Sequence, residues 1–185
     1  MAEFDVRRII EASLAKKWGV DTYTHLMREI SRGIDVSKDA EFQHKFTGFY
    51  RLRRNETWLF EFYNLFEQMR KSGNATFLEI VTALKERTGQ VETSFSSKML
   101  NTLKPEMPIW DKNVCQFFDL SNPYGNLEKS MAYYGHLLEK FHAFSESPDG
   151  QKCVDEFDLL MPSYSDISRT KKLDFFVWAA ADING

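Results

Sequence analysis

Apolar residues recur at intervals of three and four along almost the whole chain, and that spacing restricts it to helices. Val6, Ile9, Ile10 and Leu14 form one stripe. Tyr23, Leu26, Met27 and Ile30 form a second that Gly33 ends. Phe42, Phe46, Phe49 and Tyr50 follow. The strongest stripe is Trp58, Leu59, Phe62, Leu65, Phe66 and Met69, closed by Gly73. Phe77, Ile80, Val81 and Leu84 predict a short helix with Gly89 as its stop. Leu127, Met131, Tyr134, Leu138 and Phe141 continue the pattern. A last helix is expected from Ser165-Asp166 through Leu173, Phe176, Val177 and Trp178. No alternating strand and no Asn-Gly hairpin interrupts these stripes. Pro105, Pro108, Pro123, Pro148 and Pro162 fall between them, where a missing backbone donor does least harm. The expectation is an all-α fold of about nine helices.

The 185 residues suffice for one well-packed core and would crowd two independent domains. Sixteen Phe, seven Tyr and four Trp can fill that core or line a pocket that receives a flat ring. Cys115 and Cys153 are too few for a zinc or iron-sulfur framework and do not suggest a disulfide-stapled secreted domain. The first residues, Met1-Ala2-Glu3-Phe4-Asp5, do not resemble a basic and apolar leader, and no run approaches the ~20 apolar residues of a membrane span. A cytoplasmic protein with no cofactor, no metal and no membrane partner is expected. No Gly-x-x-x-x-Gly-Lys-Ser/Thr loop, Gly-x-Gly-x-x-Gly, Gly-x-Ser-x-Gly or His-Glu-x-x-His string occurs, which leaves nucleotide-cofactor, serine-hydrolase and metalloprotease readings without support. His25, His44, His136 and His142 are not spaced to share a ligand.

Two short segments carry the chemistry. Ser94-Phe95-Ser96-Ser97-Lys98 sets a lysine near the start of one helix, and Pro108-Ile109-Trp110-Asp111-Lys112-Asn113-Val114 sets an aspartate at the start of the next. Thr93 or Ser94 is the expected cap of the first helix. The positive end of the helix dipole and burial both favour a neutral, nucleophilic Lys98 amine. Asp111 reads as an N-cap, which holds a carboxylate rigidly enough to stabilise an oxocarbenium-like transition state. A solvated surface lysine and a purely structural cap are the plainer readings of the same spacing.

The Asp111 string resembles the Pro-Val-x-Asp-x-His/Asn-Val signature of the helix-hairpin-helix DNA glycosylases, and Ser94-Phe95-Ser96-Ser97-Lys98 falls where those enzymes carry Gly-Val-Gly-x-Lys. The resemblance covers Leu84 to Phe118. It implies an all-α fold of two packed helical subdomains with a cleft between them, within the single domain 1–185: one of residues 36–105, containing the hairpin-like segment 84–104, and one of residues 1–35 plus 106–185. It implies a DNA-repair hydrolase that excises a damaged or modified base, with Lys98 as nucleophile and Asp111 as stabiliser, and DNA or another nucleic acid as partner. Both hairpin glycines are serines here. A backbone that approaches a phosphate as those glycines do would be adopted by Ser94 and Ser96 only with strain.

The remaining candidate contacts to substrate are Tyr50, Arg51, Arg53 and Arg54, a basic and aromatic run that can grip phosphates or stack on a base, together with Trp110 and Asn113 beside the aspartate. The plainer reading gives the arginines to neighbouring acids and Trp110 to the core. Arg169, Lys171 and Lys172 can extend the basic patch, giving the local field that a net charge of −3 conceals. The acidic balance and the replaced glycines motivate an alternative of a different class: a non-catalytic all-α binding module that kept a glycosylase-like fold.

Overall fold

The computed structural model describes residues 5–14, 18–121 and 125–184. Among these residues all regular secondary structure is helical, with ten α-helices, one short 3-10 turn and no strand. The helices are α1 (Val6–Leu14), α2 (Trp18–Ser31), α3 (Ala40–Tyr50), α4 (Glu56–Ser72), α5 (Phe77–Thr88), α6 (Thr93–Leu103), α7 (Lys112–Phe118), α8 (Leu127–Ser145), α9 (Pro148–Leu160) and α10 (Arg169–Asn184). Pro123 and the side chain of Leu14 lie outside the described residues.

The chain forms two compact units. The first comprises Met1–Lys17, Pro105–Asn122 and Ala132–Gly185, and the second Trp18–Lys104 and Pro123–Met131. In the second unit α2 packs on α3. There the Tyr23 ring meets Phe49 at 6.4 Å and the Lys45 ammonium meets His25 Nε2 at 3.1 Å.

The second unit is built on rings. Phe42, Phe46, Phe62 and Phe66 are all at most 1% exposed, and Phe46 touches Phe62 at 5.9 Å and Phe66 at 5.3 Å. Edge-on and tilted contacts dominate, as the ring quadrupole favours. Caps set the helix ends. Asp39 accepts from the Phe42 amide, Asn55 from the Trp58 amide, and Thr76 forms a reciprocal capping box with Glu79. Gly73 and Gly89 close α4 and α5 at φ of 72° and 74°, a conformation in which a side chain would be strained. Glu67 ties α4 to the loop between α2 and α3 by accepting from the Val36 amide at 3.1 Å, and Arg70 beside it holds its carboxyl below the usual carboxylate range.

In the first unit α10 packs against α1, α7 and α9, and α1 also packs against α9. Two expectations change here. The segment from Ser165 is not yet helix: a 3-10 turn occupies Pro162–Tyr164, α10 begins at Arg169, and Ser168 Oγ accepts from the Lys171 amide at 3.2 Å. Helix α9 begins at Pro148, which occupies its first turn behind a Ser147 cap. The α8–α9 turn is tight. A Cβ on Gly150 would lie 2.0 Å from the Phe144 carbonyl oxygen, which is backbone and cannot swing away. Gly150→Ala is therefore expected to destabilise the protein by about 1–3 kcal/mol through overpacking, read as a lower urea midpoint.

Candidate functional site

Lys98 belongs to the second unit and Asp111 to the first.

Lys98 lies on α6 and is 8% exposed, so it is not a solvated surface lysine. Its Nζ donates to the Tyr50 carbonyl at 3.3 Å and sits 5.3 Å from the centre of the Phe95 ring. Phe95 precedes Lys98 by three positions, hence nearly one turn on the same helix face. The same ring receives a second cation, because the Arg54 guanidinium lies 5.0 Å from its centre and 5.6 Å from that of Trp58. Arg54 is in turn fixed by Glu92, whose Oε1 accepts from two guanidinium nitrogens at 2.7 and 3.1 Å. Glu92 immediately precedes α6.

The local chain explains this arrangement. Arg51 ends α3 in the left-handed region at φ 53°, turning the chain so that Leu52 buries and Arg54 reaches back toward α6. The Tyr50 hydroxyl donates to Asn101 at 3.4 Å, and the Tyr50 ring packs on Phe46 and Phe49 at 4.7 and 4.6 Å. Tyr50 is thus a core residue, 7% exposed, and not a stacking platform. Arg51 and Arg53 are exposed. Within the basic run, Arg54 is tied to an acid, Glu92.

The hairpin differs from expectation. Its turn lies at Gly89, and Ser94 and Ser96 sit inside α6. Positive φ among the described non-glycine residues occurs only at Arg51 and Asp119. The serines therefore carry no backbone strain, and they are not in a loop that could approach a phosphate. Neither Thr93 nor Ser94 caps α6. Thr93 Oγ1 bonds Ser130 Oγ at 2.8 Å, and Ser94 offers its carbonyl to the Ser97 hydroxyl, also at 2.8 Å.

Asp111 is the N-cap of α7, as its spacing indicated. Its Oδ1 accepts from the Val114 amide at 2.9 Å, and its Oδ2 accepts a hydrogen bond from Trp178 Nε1 on α10. Both oxygens are thereby oriented, and the residue is 8% exposed. The preceding backbone is anchored too, since the Tyr134 hydroxyl donates to the Pro108 carbonyl at 2.9 Å. Trp110 is 2% exposed and stacks on Tyr133 of α8 at 6.2 Å with planes 9° apart. Its indole is committed to the core, so it is not the base-stacking wall suggested from sequence. Asn113 is half-buried on the first turn of α7. Cys115, one turn into the helix, has its thiol pushed up to about 12 by burial and by the Asp111 carboxylate. Burial, with Asp149 nearby, pushes Cys153 up to about 12 as well. Neither thiol is a nucleophile at neutral pH. Treatment of the native protein with a thiol-specific disulfide reagent at pH 8 is expected to give no fast phase, and both cysteines are expected to react once urea unfolds the chain.

Lys171 and Lys172 do not extend a basic patch. Lys171 is 2% exposed and pairs with Asp174 at 2.6 Å, while Lys172 pairs with Asp158 at 2.6 Å and donates to the Ser165 carbonyl. Arg169 is held by Ser145 and Gln151. Arg169 and Lys172 fasten α10 to its surroundings, and Lys171 pairs within the helix. A shallow depression elsewhere on the second unit is lined by Asp35, Lys38, Asn64, Glu67 and Lys71, and contains none of the predicted residues. Its charges already pair, Lys38 with Asp35 and Lys71 with Glu67, each at 3.2 Å. Among the described residues no group of three or more His, Cys, Asp or Glu could hold a metal ion, and no helix is long and apolar enough to cross a membrane.

Sequence reasoning missed Phe95 as a partner of Lys98, Glu92 as the partner of Arg54 and Trp178 as a partner of Asp111. The spacing of Phe95 to Lys98 was available as a signal; the reach of Trp178 to Asp111 was not. Compared with family models, curated proteins and solved structures, the chain finds no match.

Proposed function

We propose that this chain is a glycosylase-like protein that releases a damaged or modified base from a nucleic acid, with Lys98 as nucleophile and Asp111 as electrostatic stabiliser. The observation that carries the reading is Lys98: a lysine at 8% exposure whose amine is received by a backbone carbonyl and an aromatic face. Such placement suits an amine kept for reaction. Asp111, oriented through both oxygens by the Val114 amide and the Trp178 indole, supports the second role. Arg51 and Arg53, exposed on the loop whose Tyr50 carbonyl receives Lys98, support contact with phosphates.

In the proposed reaction the Nζ lone pair forms a bond to the anomeric carbon as the glycosidic bond breaks. The bonding pair leaves with the base, which takes up a proton. Positive charge develops on the sugar, and the role proposed for the Asp111 carboxylate is to stabilise that charge. Loss of a proton from Nζ and opening of the sugar ring give an imine, which water hydrolyses to return the amine and an aldehyde sugar. The test is base release from a panel of lesion-bearing oligonucleotides, assayed as heat-labile strand breaks. The reading is sustained by release from at least one member and is overturned by none.

The second reading, a non-catalytic nucleic-acid or protein-binding module, has its own supporting observation: both Asp111 oxygens already serve the fold. Fluorescence titration with an oligonucleotide at low salt, run beside the base-release assay, separates the two: a nucleic-acid module binds without releasing base, and a protein-binding module does neither.

A further inference from the structure

We propose that Arg54 and Phe95 are positioning residues for the Lys98 amine. Neither is assigned a part in bond-making; both act through contacts that fix where the amine points. Phe95 stands between two cations, with Arg54 at 5.0 Å and Lys98 Nζ at 5.3 Å from its centre. Arg54 is held from three directions: by Glu92 Oε1 through two nitrogens, by the Trp58 ring, and by the Phe95 ring itself. The Trp58 and Phe95 rings meet edge-on at 5.2 Å. The result is a staple between the α3–α4 loop and the first turn of α6. One end of the loop is fixed where the Tyr50 carbonyl receives Lys98, the other where Arg54 meets Glu92.

A lysine carries four rotatable side-chain bonds, and ordering them costs rotamer entropy. The Tyr50 carbonyl at 3.3 Å is one restraint on such a chain. The aromatic face supplies another, and the arginine restrains the aromatic. A planar guanidinium is suited to this because it lies flat on rings and offers adjacent donors to one carboxylate. An ammonium offers neither. The Arg54 side chain is 35% exposed and Phe95 is half-buried, so both can be replaced without opening the core.

The consequence for catalysis rests on the proposed role of Lys98, but the positioning does not, and the experiment separates them. The full chain is labelled with 13C at the lysine ε-carbons, and the order of the Lys98 ε-methylene is read from 13C relaxation. In the wild type the methylene is expected to be ordered with two resolved proton shifts. Arg54→Gln and Phe95→Leu are each expected to collapse that splitting. Phe95→Tyr, which keeps the ring face, is expected to restore it, and Arg54→Lys is expected to behave like Arg54→Gln. Unchanged order in Arg54→Gln and Phe95→Leu, or wild-type order in Arg54→Lys, overturns the proposal. A parallel arm incubates the same proteins with 2-deoxyribose 5-phosphate and cyanoborohydride. The amine adds to the aldehyde, water leaves, and hydride reduces the imine to a stable secondary amine. The ratio of modification at Lys98 to that at exposed Lys140 is expected to fall about tenfold in Arg54→Gln, in step with the lost order. An ordered wild-type Lys98 that is never modified supports positioning and counts against the nucleophile.

Discussion

Lys98→Gln is expected to abolish the covalent adduct trapped by borohydride on a base-damaged oligonucleotide while leaving the helical circular-dichroism spectrum intact. The amide keeps a donor for the Tyr50 carbonyl, so the buried acceptor that Lys98 satisfies is not orphaned. It has no nucleophilic lone pair, so no imine forms and hydride has nothing to reduce. Asp111→Asn is the companion. It keeps an acceptor for the Val114 amide, replaces the oxygen that accepts from the Trp178 indole by an amide nitrogen and removes the negative charge; base release is expected to slow by about 100- to 1,000-fold, the scale on which loss of one preorganised electrostatic partner acts. The two variants differ in kind: the first removes the adduct altogether, and the second slows its formation. Equal trapping in wild type and Lys98→Gln would assign the nucleophile elsewhere.

The largest expected effect on stability comes from Asp174→Ala. Lys171 and Asp174 are 2% and 3% exposed, and their charged atoms are 2.6 Å apart. Taking two charges out of water is expensive, and the partner's proximity offsets that cost. Removing the carboxylate leaves the ammonium buried without the acid it was folded against. Its contact with the Phe175 ring, at 5.0 Å, is a weaker substitute. A loss of about 3–5 kcal/mol is expected, measured as a fall in the urea midpoint at constant slope. The double replacement Lys171→Met with Asp174→Leu fills the same space without charge and is expected to recover most of that loss. A single variant as stable as the wild type would show that water reaches the pair.

These two sites also show what the sequence could disclose. The helices were legible because Phe42, Phe46, Phe62 and Phe66 sit at turn spacing and all bury, and because Gly73 and Gly89 stop helices in the way only glycine does without strain. Asp111 was legible as a cap for the same local reason: cap chemistry is decided within a few residues. The start of α10 was misplaced because Ser165-Asp166 and Ser168 are equally good caps in isolation. Contacts distant in sequence select Ser168, whose hydroxyl donates to the Pro105 carbonyl at 2.7 Å. Lys171 and Lys172 looked like surface charge because a lysine at a helix start usually is. Their burial depends on Asp174 and Asp158, and no short window of sequence specifies it. The same limit hid Trp178: its indole reaches Asp111 across sixty-seven positions. Tyr50 and Trp110 failed as substrate contacts because an aromatic at a helix edge reads the same whether it faces solvent or core. Here Phe46, Phe49 and Tyr133 claim those rings.

The central claim is that the Lys98 amine attacks a sugar carbon. The most direct measurement is borohydride trapping of the wild-type chain on a panel of lesion-bearing oligonucleotides at low salt, with the adduct located by peptide mass spectrometry. The account predicts a reduced sugar adduct on the peptide that contains Lys98, accompanied by release of the base. An absence of adduct and of base release across the panel, or an adduct carried by a different lysine, would contradict it.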